Sequence, residues 1–155
     1  MRNDASLPNA SAPSLLCAAS MNALALWVAQ ILSAGFLAIL FLQSGLDKVF
    51  DWEGNKGYIA GYFAKSPLAG FSTIMLAQIT VLEVVVGLAS AGGCAQLLLT
   101  KSSFVAFVGA SLAGVNVLAL FFGQRLAKDY AGAAGMVPYA LFAIASVLIQ
   151  GLTLG

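Results

Sequence analysis

Histidine is absent from this 155-residue chain, and charge is scarce: seven Lys and Arg with six Asp and Glu amount to 8% of residues. An ordinary soluble domain carries roughly 25%. Without imidazole, the common haem, zinc, copper and di-iron ligand sets lose their usual member. Cysteine is limited to Cys17 and Cys94, with no CxxC spacing, which removes the common dithiol redox motif and leaves two unrelated thiols as the expectation. A net charge of +1 gives no electrostatic footprint for nucleic acid. What remains is apolar: 61% of residues are hydrophobic and the mean hydropathy is +0.95. That surface suits lipid, and the length allows one domain. The sequence therefore reads as an integral membrane protein in contact with the bilayer, without metal chemistry of the histidine-dependent kinds.

The gaps between the charges locate the membrane spans. No charge lies between Asp4 and Asp47, only Glu83 lies between Lys65 and Lys101, none lies between Lys101 and Arg125, and none follows Asp129. A helix needs about 20 mainly apolar residues to cross the hydrocarbon core. Barrel strands would alternate with a period of two, and these runs are continuous. The expectation is an all-α membrane protein, a four-transmembrane-helix bundle with spans at about 23–46, 71–92, 104–122 and 133–153, and a short interfacial helix in the first loop. Residues 1–22, rich in Ser, Ala, Asn and Pro, read as a flexible N-terminal tail ahead of a membrane domain over 23–155. The tail has one early Arg and no long apolar region before a cleavage site, so it does not resemble a signal peptide.

Four crossings put both termini and the loop around Lys101 on one side, with Arg2 and Lys101. The other side carries Lys48, Lys56, Lys65, Arg125 and Lys128. The positive-inside rule then places the first and third loops in the cytoplasm and the termini outside. Helices in lipid associate through close approach of small residues. Ala106, Ala110 and Gly114 offer such a seam, as do Ala25, Ala29 and Ser33, and Ala34 with Ala38.

The first loop, DKVFDWEGNKGYIAGYFAKSPLAG over residues 47–70, is dense in aromatics. Asp51 is placed to cap a short helix and Pro67 to mark its stop. Its side chains Trp52, Tyr58, Tyr62 and Phe63 suit either an anchor in the headgroup layer or a lid over a pocket between helices.

Glu83 stands near the middle of the second span, in VLEVVVGLASAGG. A charged carboxylate there costs several kcal/mol, so it must be protonated, paired or turned to a polar interior. The expectation is a core-facing carboxyl, neutral unless a cation approaches. Gln78, Asn116, Gln43 and Ser44 are candidate neighbours at similar depth, and Lys48, just beyond the first span, is placed either to snorkel to the interface or to reach inward. Together Glu83, Lys48, Asn116, Gln78 and Ser44 form a polar layer that suits either a helix-gluing hydrogen-bond network or a proton or ligand site.

FLQSGLDKVFD at the end of the first span, a Gly- and aromatic-rich loop, and then LEVVVGLASAGG resemble the DoxX family of small four-helix membrane proteins over roughly Ile31 to Phe122. The matching positions are Ser44, Gly45, Lys48 and Glu83. Asp47 departs from the small residue often found there, and the N-terminal tail is longer than usual. The resemblance implies a bacterial or archaeal cytoplasmic membrane and an accessory or anchoring subunit of a quinone-linked oxidoreductase complex. The chain would carry no cofactor of its own, with quinone as the candidate ligand and larger oxidoreductase subunits as partners. Two readings compete with it. One is a small proton-coupled transporter using the Glu83 carboxyl. The other is an enzyme doing acid–base work at Glu83 and Lys48, which would require the two within hydrogen-bond reach.

Overall fold

The computed structural model describes residues 12–152, with side chains from Cys17 onward. Six α-helices follow in order: α1 Ala12–Phe50, α2 Trp52–Phe63, α3 Ser72–Thr100, α4 Phe104–Leu126, α5 Tyr130–Gly135 and α6 Val137–Gly151, with a single 3₁₀ turn at Ala69–Phe71 before α3. Among the described residues, four stretches are long and apolar enough to cross a membrane: Cys17–Phe50, Ala69–Thr100, Phe104–Leu126 and Tyr130–Gly151. The all-α membrane bundle with one short helix in the first loop is therefore the architecture observed.

The element ends differ from those read off the sequence. Helix α1 starts at Ala12 rather than near residue 23, so residues 12–22 of the expected tail are helical, and residues 1–11 lie outside the described residues. Pro13 sits in the first turn, where no intrahelical N–H is required, and the leucines and alanines that follow are good helix formers. The other end of α1 runs on to Phe50, which places Lys48 in the last helical turn instead of beyond it. Helix α3 continues eight residues past the expected end and stops at Lys101, in the left-handed conformation (φ 57°), whose N–H bonds to the Leu97 carbonyl. The expected fourth span divides into α5 and α6 at Met136. Pro138, in the first turn of α6, has no N–H for the preceding turn.

Helix α3 is the centre of the bundle. Its buried face, Ser72, Leu76, Thr80, Glu83, Val86, Gly87, Ser90, Gly93 and Leu97, recurs every three or four residues, and packs against both α1 and α4. Glycine makes those approaches possible. A Cβ on Gly93 would stand 2.4 Å from the Ala106 backbone, and one on Gly87 would stand 2.7 Å from the Leu42 amide nitrogen. The small-residue seam on α4 holds at Ala106 and Ala110 but continues through Ala113, all buried. Gly114 has open space beside it. The apolar core joins Leu37, Phe41, Val86, Ala110, Ala113, Val117 and Ala143 from four helices. Outward-facing Leu32, Ile39, Leu118, Ile144 and Leu148 are each more than half exposed, as lipid-facing positions should be.

Away from α2, α1 is tied to the end of α6 by a buried amide layer. The Gln30 side-chain amide donates to the carbonyls of Ile149 and Leu152, both at 3.0 Å, while that of Gln150 donates to the Gln30 carbonyl at 2.8 Å and to Ser33 Oγ at 2.9 Å. Hydrogen bonds of this kind join transmembrane helices because hydrocarbon offers no alternative partner.

Candidate functional site

The α2 end of the bundle holds an ion pair between two cavities. Glu83 projects from the buried face of α3, 2% exposed. One turn and a half from its end, α1 presents Ser44, and one turn later Lys48. The Lys48 ammonium donates to both Glu83 carboxylate oxygens, at 2.8 Å and 3.1 Å. It also donates to Ser44 Oγ at 2.9 Å and to the Ser44 carbonyl at 3.2 Å. Ser44 Oγ in turn donates to Glu83 Oε1 at 3.1 Å. Gly45 lets α1 close on α3 at this level, since a Cβ there would meet Val84 Cγ2 at 2.8 Å. The i, i+4 spacing of Ser44 and Lys48 aims both at the same carboxylate.

The geometry selects among the expected alternatives: Glu83 faces the core with a cation against it, and Lys48 turns inward instead of snorkelling outward. Of the expected polar layer, Ser44, Lys48 and Glu83 are joined by hydrogen bonds, and Gln78 and Asn116 are not bonded to them. Gln78, five residues before Glu83, lies about 140° around the helix, on the exposed side. Asn116 is fully buried at the depth of Glu83, given the register set by Gly93 against Ala106 and Ser90 against Gly109. Neither of its side-chain polar atoms has a partner among the described residues. Gln43 is exposed. The thiols of Cys17 and Cys94 are both free.

Helix α2 lies over the larger cavity, of about 540 Å³. Its wall is mostly apolar, with Phe63, Met75, Ile79, Leu82 and Leu120, and its polar edges are Lys48, Tyr58, Tyr62, Gln78, Gln124 and Asp129. A smaller cavity of about 210 Å³ lies on the far side of the ion pair. Ser44 and Glu83 line it together with Phe41, Val117, Met136 and Tyr139. Lys48 thus faces the larger space and Glu83 the smaller. The larger one falls in the size range of small-molecule sites and has their usual character, an apolar wall with a few polar groups.

Two contacts fix α2 in place. Asp51 caps it by accepting from the Gly54 N–H at 3.2 Å, as its position before the aromatic run leads one to expect. The helix stops at Phe63, four residues before Pro67. Phe63 is buried, Tyr62 and Trp52 are half-buried, and Tyr58 is exposed. Tyr58 stacks on Tyr62 with ring centroids 6.0 Å apart, and Tyr62 meets Phe63 edge-on at 5.0 Å. The Tyr62 hydroxyl donates to Asp129 Oδ2 at 2.6 Å, while Asp129 Oδ1 accepts from the Gly132 N–H at 2.8 Å and caps α5. The first and third loops are thereby latched together, an arrangement that fits the lid reading. This bond is not legible in the sequence, because neither residue belongs to a motif.

Burial, and then the hydrogen bond to Asp129, push the Tyr62 phenol from 10.0 up to about 12. The Tyr62 hydroxyl, and then the Gly132 N–H, hold the Asp129 carboxyl below its usual range. A raised acid stabilises the fold below its unfolded value and loses that contribution as pH climbs to the folded one. The latch therefore holds at neutral pH and opens between about pH 10 and 12. On the acid side, Asp129 keeps its contribution above 3.8 and loses it as pH falls through the lowered value. In a phenolate absorbance titration, the step near 12 should vanish in Tyr62→Phe and move toward 10 in Asp129→Asn. A wild-type protein whose tyrosines all ionise near 10 would contradict the latch.

Comparison with protein families, with curated proteins and with solved structures finds no match to this chain. The site must be interpreted from its own chemistry. The larger cavity offers amide donors from Gln78 and Gln124 and a hydroxyl from Tyr58, and its lysine is already bound to Glu83 and Ser44.

Proposed function

We infer that the chain is a DoxX-like membrane subunit that holds a lipid-soluble, carbonyl-bearing ring of the quinone class beneath α2, as an accessory or anchoring component of a quinone-linked oxidoreductase complex. The observation that carries this reading is the 540 Å³ cavity, apolar along α3 and α4 and edged by the neutral Gln78, Gln124 and Tyr58 beside the paired Lys48 and the bonded Asp129. A ring with carbonyls suits that division: the face packs on Phe63, Leu82 and Leu120, and an oxygen accepts from Gln78, Gln124 or Tyr58. The resemblance of FLQSGLDKVFD and LEVVVGLASAGG to DoxX proteins supports the same class of ligand. Electrons for the ring would come, on this reading, from a partner polypeptide. In this reading the first and third loops face the cytoplasm of a bacterial or archaeal cell and α2 offers the docking surface.

The transporter reading is weaker. An exchange carboxyl must bind and release its proton in turn, whereas both oxygens of Glu83 accept from Lys48. The enzymatic reading gains the required proximity of Glu83 and Lys48, 2.8 Å, but that pair is closed on itself. The test is gentle detergent extraction of the tagged protein, native separation and mass spectrometry of what travels with it. Stoichiometric larger polypeptides and an extractable quinone are expected. A clean monomer or dimer with neither would overturn the accessory role.

A further inference from the structure

We propose that Glu83 sets the charge selectivity of the cavity beneath α2: by saturating the Lys48 ammonium from behind, it closes the cavity to anionic amphiphiles and leaves it open to neutral carbonyl-bearing ones. The proposal deepens the ligand-binding reading above and rests on it. An ammonium has three protons to give, and Lys48 has four acceptors within 3.2 Å, all on Ser44 and Glu83. Glu83 does not line the larger cavity; it faces the smaller one. A ligand beneath α2 therefore never touches the carboxylate, but meets an ammonium that the carboxylate has already neutralised.

The remaining charge at the cavity edge is Asp129, held by the Tyr62 hydroxyl and the Gly132 N–H. Counted with Glu83 behind Lys48, the charged residues lining the cavity, Lys48 and Asp129, leave one net negative charge, while the neighbouring Arg125 and Lys128 do not line it. A carboxylate or phosphate headgroup would have to detach Lys48 from a close two-oxygen contact in a medium of low dielectric, where removing one partner of a pair is strongly unfavourable. It would also face Asp129. A neutral ring or ester carbonyl needs one amide or hydroxyl donor, which Gln78, Gln124 and Tyr58 provide. Bilayers are rich in anionic lipids, so an uncompensated ammonium at this depth would be filled by them. The Glu83 carboxylate prevents this.

Removing the carboxylate alone should invert the preference. The full chain, purified in neutral detergent at mildly alkaline pH, is titrated by fluorescence with a pyrene-labelled fatty acid and with its methyl ester, two probes that differ only in headgroup charge. Wild type should bind the ester roughly tenfold tighter than the acid, and Glu83→Gln should bind the acid roughly tenfold tighter than the ester. The double variant Glu83→Gln with Lys48→Met, which has neither charge, should return to the ester. Circular dichroism establishes that each variant is helical, and the wild-type comparison requires no variant at all. A wild type that binds the acid as well as the ester overturns the proposal, as does a folded Glu83→Gln whose preference is unchanged. Failure of every form to bind either probe overturns the ligand-binding reading itself, a different result from bound ester with unaltered selectivity.

Discussion

Lys48→Met should destabilise the bundle by about 3–5 kcal/mol, the cost of leaving a buried charge without its partner. Glu83 is 3% exposed at its side chain, and its partners are Lys48 and Ser44. With the ammonium gone, only the Ser44 hydroxyl remains for a carboxylate surrounded by α1, α3 and the apolar wall of the smaller cavity. Glu83→Gln should cost less, about 1–3 kcal/mol. The Lys48 side chain is 20% exposed and lines the larger cavity, so the freed ammonium is still reached by water there, unlike the buried carboxylate. The double variant should recover most of the loss, because replacing both members of a buried pair by uncharged groups is often neutral. Reversible unfolding in mixed detergent measures all three. Equal losses for the two single variants would contradict the asymmetry of burial on which the argument rests.

The second large effect is expected at Gly93. A Cβ at this position would lie 2.4 Å from both Cα and N of Ala106 and 2.7 Å from its Cβ. These are backbone atoms and a methyl group of α4, not the end of a flexible chain, so the helices must separate. Packing is the main attraction between helices in lipid, and separation at this point loosens α3 from α4 over several turns. Gly93→Val should cost about 1–3 kcal/mol or more. Gly114→Ala, with nothing within 4 Å of the new methyl, should be neutral or stabilising, by up to about 1 kcal/mol from helix propensity. Unfolding of the two variants side by side decides whether small residues serve contact or merely accompany it. Similar behaviour of both would remove the contact argument.

Much of this architecture was legible in the sequence because charge is so rare. Thirteen charged residues cannot be placed in hydrocarbon at random, so the gaps between them mark the helices. The same scarcity made Glu83 conspicuous and Lys48 its nearest cation across the α1–α3 seam. The helix ends were less legible. Gly92 and Gly93 look like a stop, yet α3 continues through them, because a glycine at a helix crossing serves close approach instead of termination. The partners of Glu83 were only half legible. Similar depth suggested Gln78 and Asn116, but depth does not specify helix side, and Gln78 lies on the exposed side. Asn116 is buried at the right depth, yet its side chain has no hydrogen-bond partner among the described residues. The Gln30–Gln150 layer was missed altogether: uncharged amides in an apolar run give no compositional signal, and their pairing depends on where α6 ends against α1. The Tyr62–Asp129 latch was missed for a related reason, since it joins two loops whose proximity only the folded bundle creates.

We propose that the space beneath α2 holds a carbonyl-bearing, lipid-soluble ring. Photo-crosslinking with an azidoquinone, followed by peptide mapping, tests it most directly. Adducts should concentrate on Tyr58–Phe63 of α2, Met75–Leu82 of α3 and Ala119–Gln124 of α4, the segments that bound the cavity, and unlabelled quinone should compete. Adducts spread over the lipid-facing positions Leu32, Ile39, Ile144 and Leu148, and insensitive to competitor, would show a probe dissolved in the surrounding detergent and would contradict the account.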